Sequence, residues 1–178
     1  MADLRGCKLG EFVLRDRIGG DELGDVYRGV QPHLGRDVIV KVLHQRYDDD
    51  TLQRYMHEAQ LDHSYAVHVY DFGVDQNGSP WIAMELVQGV RLKEWLATRG
   101  PMPLTQLVPF FDGIAEVIQF AHARGIVHRN LSSSNIMVVE GARRLFPKLL
   151  DLGINQLTSS DAAGFPEYKA PEQREAAH

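Results

Sequence analysis

Hydrophobic residues gather in three early runs, residues 12–18, 25–30 and 36–43, each rich in β-branched or aromatic side chains as strands are. Glycine-bearing turns separate them: Gly19-Gly20 with Gly24, then Pro32-His33-Leu34-Gly35. Three aspartates at 48–50 and Thr51 open a polar stretch through Asp62, which predicts a helix with acids at its positive end. Two more strands are predicted over 66–72 and 80–86, joined across Gln76-Asn77-Gly78-Ser79, where Asn-Gly is a hairpin signal. Beyond a short connector, Val87 to Gly89, the pattern changes. Leu104, Leu107, Val108, Phe111, Ile114, Ala115 and Ile118 recur at helical spacing and predict one apolar face of a helix ending near Gly125. Residues 126–135 have no period, and short apolar runs follow at 136–139 and 146–150. The pattern predicts a β-rich first region of five strands and one helix, a connector, and the start of a helical region.

Composition narrows the class. The chain has 178 residues, enough for one ordinary domain, and 44% hydrophobic with 24% charged residues is a globular balance. The longest uncharged stretch, Gly100 to Phe111, carries three prolines and is too short for a bilayer. The single cysteine, Cys7, excludes an internal disulfide framework and a cysteine-built metal site. A net charge of −5 argues against a nucleic-acid partner. The expectation is a soluble, cytoplasmic, mixed α/β domain with no membrane segment.

The chemistry-bearing motifs come in a definite order. Gly19, Gly24 and Val26 fit the first glycine, third glycine and valine of a Gly-x-Gly-x-x-Gly-x-Val phosphate-covering loop, with Asp21 at the middle glycine. Val38-Ile39-Val40-Lys41 follows on the third predicted strand, and Glu58 lies on the predicted helix, where it could pair with Lys41. His128-Arg129-Asn130-Leu131-Ser132-Ser133-Ser134-Asn135 then resembles the His-Arg-Asp-Leu-x-x-x-Asn catalytic loop of protein kinases. Asp151-Leu152-Gly153 stands where those kinases have Asp-Phe-Gly, and Ala170-Pro171-Glu172 closes an activation segment. Asp71-Phe72-Gly73 spells the metal motif literally but precedes the catalytic loop, so it is read as strand.

Nearly the whole chain therefore resembles the protein kinase superfamily, most closely the bacterial eukaryotic-like Ser/Thr kinases. The resemblance implies an α+β, protein kinase-like fold. Residues 1–86 would form a five-stranded antiparallel N-lobe with one helix. Residues 87–178 would form the hinge and an incomplete, mainly helical C-lobe. It also implies ATP and Mg²⁺ as cofactors. Lys41, held by Glu58, would touch the α and β phosphates, and Asn135 and Asp151 would hold the metal. Glu85 to Val87 would form the adenine hinge behind Met84, with Ile39 and Met137 as further nucleotide-binding positions.

Departures from the pattern cluster where phosphoryl transfer would occur. Asn130 replaces the catalytic aspartate, and an amide is a very poor base; losing a general base costs about 10²–10⁴ in rate. Ser132 replaces the lysine two residues on, and Phe165 replaces a threonine that bridges the two. Asp21 adds bulk and a like charge beside the phosphates, a repulsion of about 1–4 kcal/mol at about 4 Å. Ile39 replaces a small alanine over adenine, an overpacking of about 1–3 kcal/mol. The segment from Glu58 to Tyr70 is about one turn short, and Asp62 stands at an apolar position, so the helix is expected to be short or displaced.

Only six residues follow Glu172, where the family continues with further helices, so the face of Leu107, Phe111, Ile114 and Ile118 is expected to lack cover. That predicts a protein partner, self-association, or a fragment of a longer protein. His57, His63 and His68 lack the spacing of a zinc site. Thr158, Ser159 and Ser160 are read as loop residues that another kinase could phosphorylate, with Arg129 as the phosphate's partner, and Arg143-Arg144 as a solvated turn. Three readings follow. The first is a pseudokinase-like regulatory or protein-binding module with a weakened Mg-ATP site; the others are an impaired Ser/Thr kinase and a non-functional fragment. The joint change at Asn130, Ser132 and Phe165 favours the first.

Overall fold

The computed structural model describes residues 3–21, 23–47, 61–142, 144–154 and Tyr168. They fall into two compact units: residues 3–47 with His68–Leu86, and residues 61–67 with those from Val87 onward.

The first unit is one antiparallel sheet. Its strands are β1 (Lys8–Leu9), β2 (Phe12–Gly20), β3 (Gly24–Gln31), β4 (Arg36–Leu43), β5 (Val69–Val74) and β6 (Pro80–Glu85), in the order β1-β2-β3-β4-β6-β5. A 3-10 turn, Pro32–Leu34, links β3 to β4 and ends on Gly35 in the left-handed conformation. The five predicted strands are present, with the short β1 added at the edge by pairing with Phe12 and Val13. The period of two separates the faces of β4. Val38, Val40 and Val42 are buried with Phe12, Leu14, Tyr27, Trp81 and Ala83 in the apolar core. Ile39 and Lys41 point to the other face. The predicted helix over 51–62 falls largely outside the described residues; Leu61 and Asp62, at its end, are not helical.

The predicted strand over 66–72 is displaced. Ala66 makes an isolated parallel bridge to Leu149 in the second unit, and the Val67 N–H donates to the Leu149 carbonyl at 2.9 Å. The ladder with β6 starts only at Val69. Asp71-Phe72-Gly73 lies within β5, where a Cβ on Gly73 would come within 2.7 Å of the Trp81 indole. That glycine serves packing.

The second unit contains β7 (Val90–Arg91), α1 (Leu92–Arg99), α2 (Leu104–His122), β8 (Ile136–Glu140) and β9 (Leu145–Leu149), with its three strands in antiparallel order β7-β8-β9. Phe110, Ile114 and Val117 of α2 are buried with Ala66, Trp95, Val138 and Leu149, while Ala121 is buried with Leu61 and Ile126. At Gly113, a Cβ would sit 3.0 Å from Pro147 and 3.1 Å from Tyr65, so the helix lies close on both.

The expected uncovered face of α2 needs correction. Ile114 is buried, and Leu107 and Ile118 pack against the core, because the helix turns the 110/114/117/121 side inward. Phe111 is exposed as expected, and it continues into an exposed stripe with Leu104 and Val108. No helix among the described residues is long and apolar enough to cross a membrane.

Candidate functional site

In the first unit, register gathers the predicted nucleotide-binding positions on one face. Val26 of β3 pairs with Lys41 of β4, and Ile39 of β4 pairs with Met84 of β6. Directly paired residues share a face, so Val26, Ile39, Lys41 and Met84 line the side opposite the apolar core. Gly19 lies on β2 across from Val26. Gly24 opens β3 across from Leu43, and a Cβ there would fall 2.4 Å from the Val42 carbonyl oxygen. Only glycine permits that approach. Glu85 closes β6, its N–H donating to the His68 carbonyl at 2.9 Å, and Val87 follows in the connector.

Lys41 is 2% exposed. Its Nζ donates to Asp21 Oδ2 at 2.9 Å, and Asp21 Oδ1 accepts from the N–H groups of Leu23 and Gly24 at 3.0 Å each. The Asp21 N–H closes the turn onto the Gly24 carbonyl at 2.9 Å. The aspartate at the middle-glycine position thus reaches the strand lysine, an ion pair that the sequence reading does not contain. Glu58, the expected partner of Lys41, lies outside the described residues.

An ion pair on the other side of the sheet secures the base of this hairpin. Arg17 holds Asp25 at 2.7 Å, and His44 lies 3.6 Å from the same carboxylate. The Arg17 hydrogen bond keeps the Asp25 carboxyl below its ordinary range. An open groove of about 690 Å³ runs past Arg17, Asp25, Tyr27 and His44. Its lining includes none of the nucleotide-binding positions, and its charges include the Arg5–Asp3 and Arg17–Asp25 pairs.

In the second unit, the loop 128–135 and the turn after β9 are tied together. The Leu150 N–H donates to the Asn135 carbonyl at 2.9 Å. His128 Nδ1 accepts from the Asn130 N–H at 3.3 Å, so Nε2 carries the proton and donates to the Leu150 carbonyl at 3.0 Å. Burial pushes the His128 imidazole below its ordinary pKa. Arg129 and Asp151 adopt left-handed backbone, with φ of 61° and 53°. Non-glycine residues adopt that conformation uncommonly, and such backbone clusters at functional sites.

Asn135 is buried, and its Nδ2 donates to the Asn130 carbonyl at 2.8 Å, which leaves Oδ1 as its remaining side-chain acceptor. The Asn135 amide oxygen and the Asp151 carboxylate are hard oxygen donors of the kind Mg²⁺ takes, so the residues fit that ion. Asn130 offers no carboxylate. Ser132 is buried, its Oγ without a hydrogen-bond partner among the described residues, and it provides no cation in place of a lysine. Met137 lies on β8, half-buried. The loop is also held from outside: the Lys93 N–H donates to the Ser133 carbonyl, Arg91 donates to the Ser134 carbonyl, and the hydroxyls of Ser133 and Tyr168 lie 2.8 Å apart. Phe165, Thr158, Ser159, Ser160 and Ala170-Pro171-Glu172 lie outside the described residues.

Among the described residues no group of three or more histidine, cysteine, aspartate or glutamate side chains could hold a metal. His63 lies 3.3 Å from Glu116 and against Phe120, His68 packs on Tyr70, and His57 lies outside the described residues.

Residues 12–176 match the protein kinase domain, and the chain belongs to that family. It is 36% identical over 180 residues to the serine/threonine-protein kinase pkn2 of Myxococcus xanthus, covering 92% of this chain and 21% of that protein. It is 31% identical over 177 residues to the serine/threonine-protein kinase PrkC of Bacillus subtilis, covering 92% of this chain and 27% of PrkC. This chain therefore spans about a quarter of the length of these relatives. The kinase domain of Mycobacterium tuberculosis PknI superposes with a TM-score of 0.74 at 28% identity, over 99% of this chain and 70% of that one. Rad53 1-466 in complex with AMP-PNP superposes with a TM-score of 0.80 at 25% identity, over 94% of this chain and 43% of that one.

Proposed function

We propose that this kinase domain is a pseudokinase-like regulatory module that retains a weakened Mg-ATP site and has lost phosphoryl transfer. The observation that carries the reading is the loop 128–135. It keeps the fixed backbone and the metal-side amide of Asn135 but presents Asn130 and a buried Ser132 where transfer calls for a carboxylate and a lysine. Transfer depends on orienting the acceptor hydroxyl and stabilising charge on the moving phosphoryl group, and both groups that would do so are uncharged here. Phosphate-side and metal-side groups persist in Lys41, Asn135 and Asp151, and a structural relative holds AMP-PNP. These support nucleotide binding. Ile39, half-buried on the nucleotide face, and Asp21 weaken it.

The module acts through protein contact in the cytoplasm, with the exposed stripe Leu104, Val108 and Phe111 of α2 as the contact surface. A second reading, an impaired but active Ser/Thr kinase, is favoured by the intact fixing of Asn135 and by the kinase names of the relatives.

Calorimetry with Mg-ATP tests the proposal. The expected result is saturable binding with a Kd between about 0.1 and 1 mM, consistent with costs of a few kcal/mol on a micromolar site, and lost in Asp151→Ala. Low-micromolar binding in the wild type would contradict the weakened site. Restoring Asn130→Asp together with Ser132→Lys separates the two readings: a rise of about 10² or more in transfer rate supports the first, and an unchanged, substantial rate supports the second.

A further inference from the structure

Asp21 occupies the turn between β2 and β3 and uses both carboxylate oxygens. Oδ1 takes the N–H groups of Leu23 and Gly24, and Oδ2 takes the Lys41 ammonium at 2.9 Å. Two loop N–H groups and a buried ammonium are the donors by which a glycine-rich turn and a strand lysine grip an anion. Here those donors already hold one. The pair offsets part of the cost of holding the Lys41 ammonium, 2% exposed, out of water. Asp21 is 50% exposed, and its backbone lies outside the left-handed region.

We propose that Asp21 is a built-in substitute for a nucleotide phosphate, so that the site takes the uncharged nucleoside, adenosine, at least as tightly as Mg-ATP. The inference rests on the reading of this face as a nucleotide site and names its ligand class. A phosphate that approaches Lys41 must share the ammonium with the Asp21 carboxylate or displace it, and in either case lies beside a like charge. A nucleoside makes no demand on the Lys41 ammonium or the loop N–H groups. The usual gain from phosphate groups is therefore cancelled, and the carboxylate charge, rather than its bulk, is the cause.

The test is calorimetry on the full chain with adenosine and with Mg-ATP, for the wild type, Asp21→Gly and Asp21→Asn. The asparagine can keep the Oδ1 contacts to the turn while removing the charge from Lys41, and it serves if the glycine loosens the loop. Expected are a wild-type Kd for adenosine no weaker than that for Mg-ATP, and at least tenfold tighter Mg-ATP binding in both variants. Adenosine binding stays within about twofold. If the wild type binds Mg-ATP tenfold more tightly than adenosine and both variants leave that ratio unchanged, the role of Asp21 is overturned while the nucleotide site stands. If neither ligand binds any variant on samples that still unfold cooperatively, the nucleotide-site reading fails and the inference with it.

Discussion

Burial holds His128 toward its neutral form in the fold. Burial disfavours the imidazolium, against a smaller opposing pull from Asp151, and Nδ1 is committed to accepting the Asn130 N–H. Its folded pKa therefore lies below the ordinary 6.5. As pH falls through about 6.5, the unfolded chain takes up a proton that the folded chain refuses. Stability then declines by at most about 1.4 kcal/mol per pH unit until the lower folded value is reached. Above that window both states are neutral and the contribution is constant. Urea unfolding from pH 7.5 to 5.5 should show a steeper loss for the wild type than for His128→Gln; parallel slopes would place the proton uptake elsewhere. At this scale the substitutions at Asn130 and Ser132 are legible in the sequence, because loop motifs are read by position. The Asp21–Lys41 pair is not. An aspartate in a glycine-rich loop signals a departure, but its partner depends on the register that sets Val26 against Lys41 and brings the turn beside that lysine.

Helix α2 shows how an element can be located correctly and oriented incompletely. Its apolar positions are spread widely enough that spacing alone does not choose the inward side. Tyr65, Val138 and Leu149, supplied by distant parts of the chain, make that choice. Phe110 is fully buried, whereas Phe111, its neighbour in an edge-to-face contact, is 44% exposed. Phe110→Ala should cost about 3–5 kcal/mol and Phe111→Ala about 1 kcal/mol or less. Comparable losses in chemical denaturation would refute this orientation. Strands β2, β3, β4 and β6 are legible from their β-branched and aromatic runs and from the turns between them. The two-residue strands β1 and β7 exist only through their partners, Phe12–Val13 and Met137–Val138, which no local pattern announces. Helix α1 buries only Leu92 and Trp95 and has no side-chain N-cap, so it gives neither a stripe nor a start signal.

Family membership rests on a match over residues 12–176. The proposed loss of transfer rests instead on what this chain places at individual positions: an amide at 130, a buried hydroxyl at 132, and a carboxylate at 21 that holds Lys41. Fixed backbone in the loop 128–135 and a metal-side amide can persist without transfer, because positioning and charge stabilisation are supplied by different side chains. The most direct test is phosphate transfer from labelled Mg-ATP to a generic protein substrate, with Asp151→Ala as the control. The account predicts no product above that control over hours. Transfer at the ordinary kinase rate of about 1–100 s⁻¹, abolished in Asp151→Ala, would contradict it.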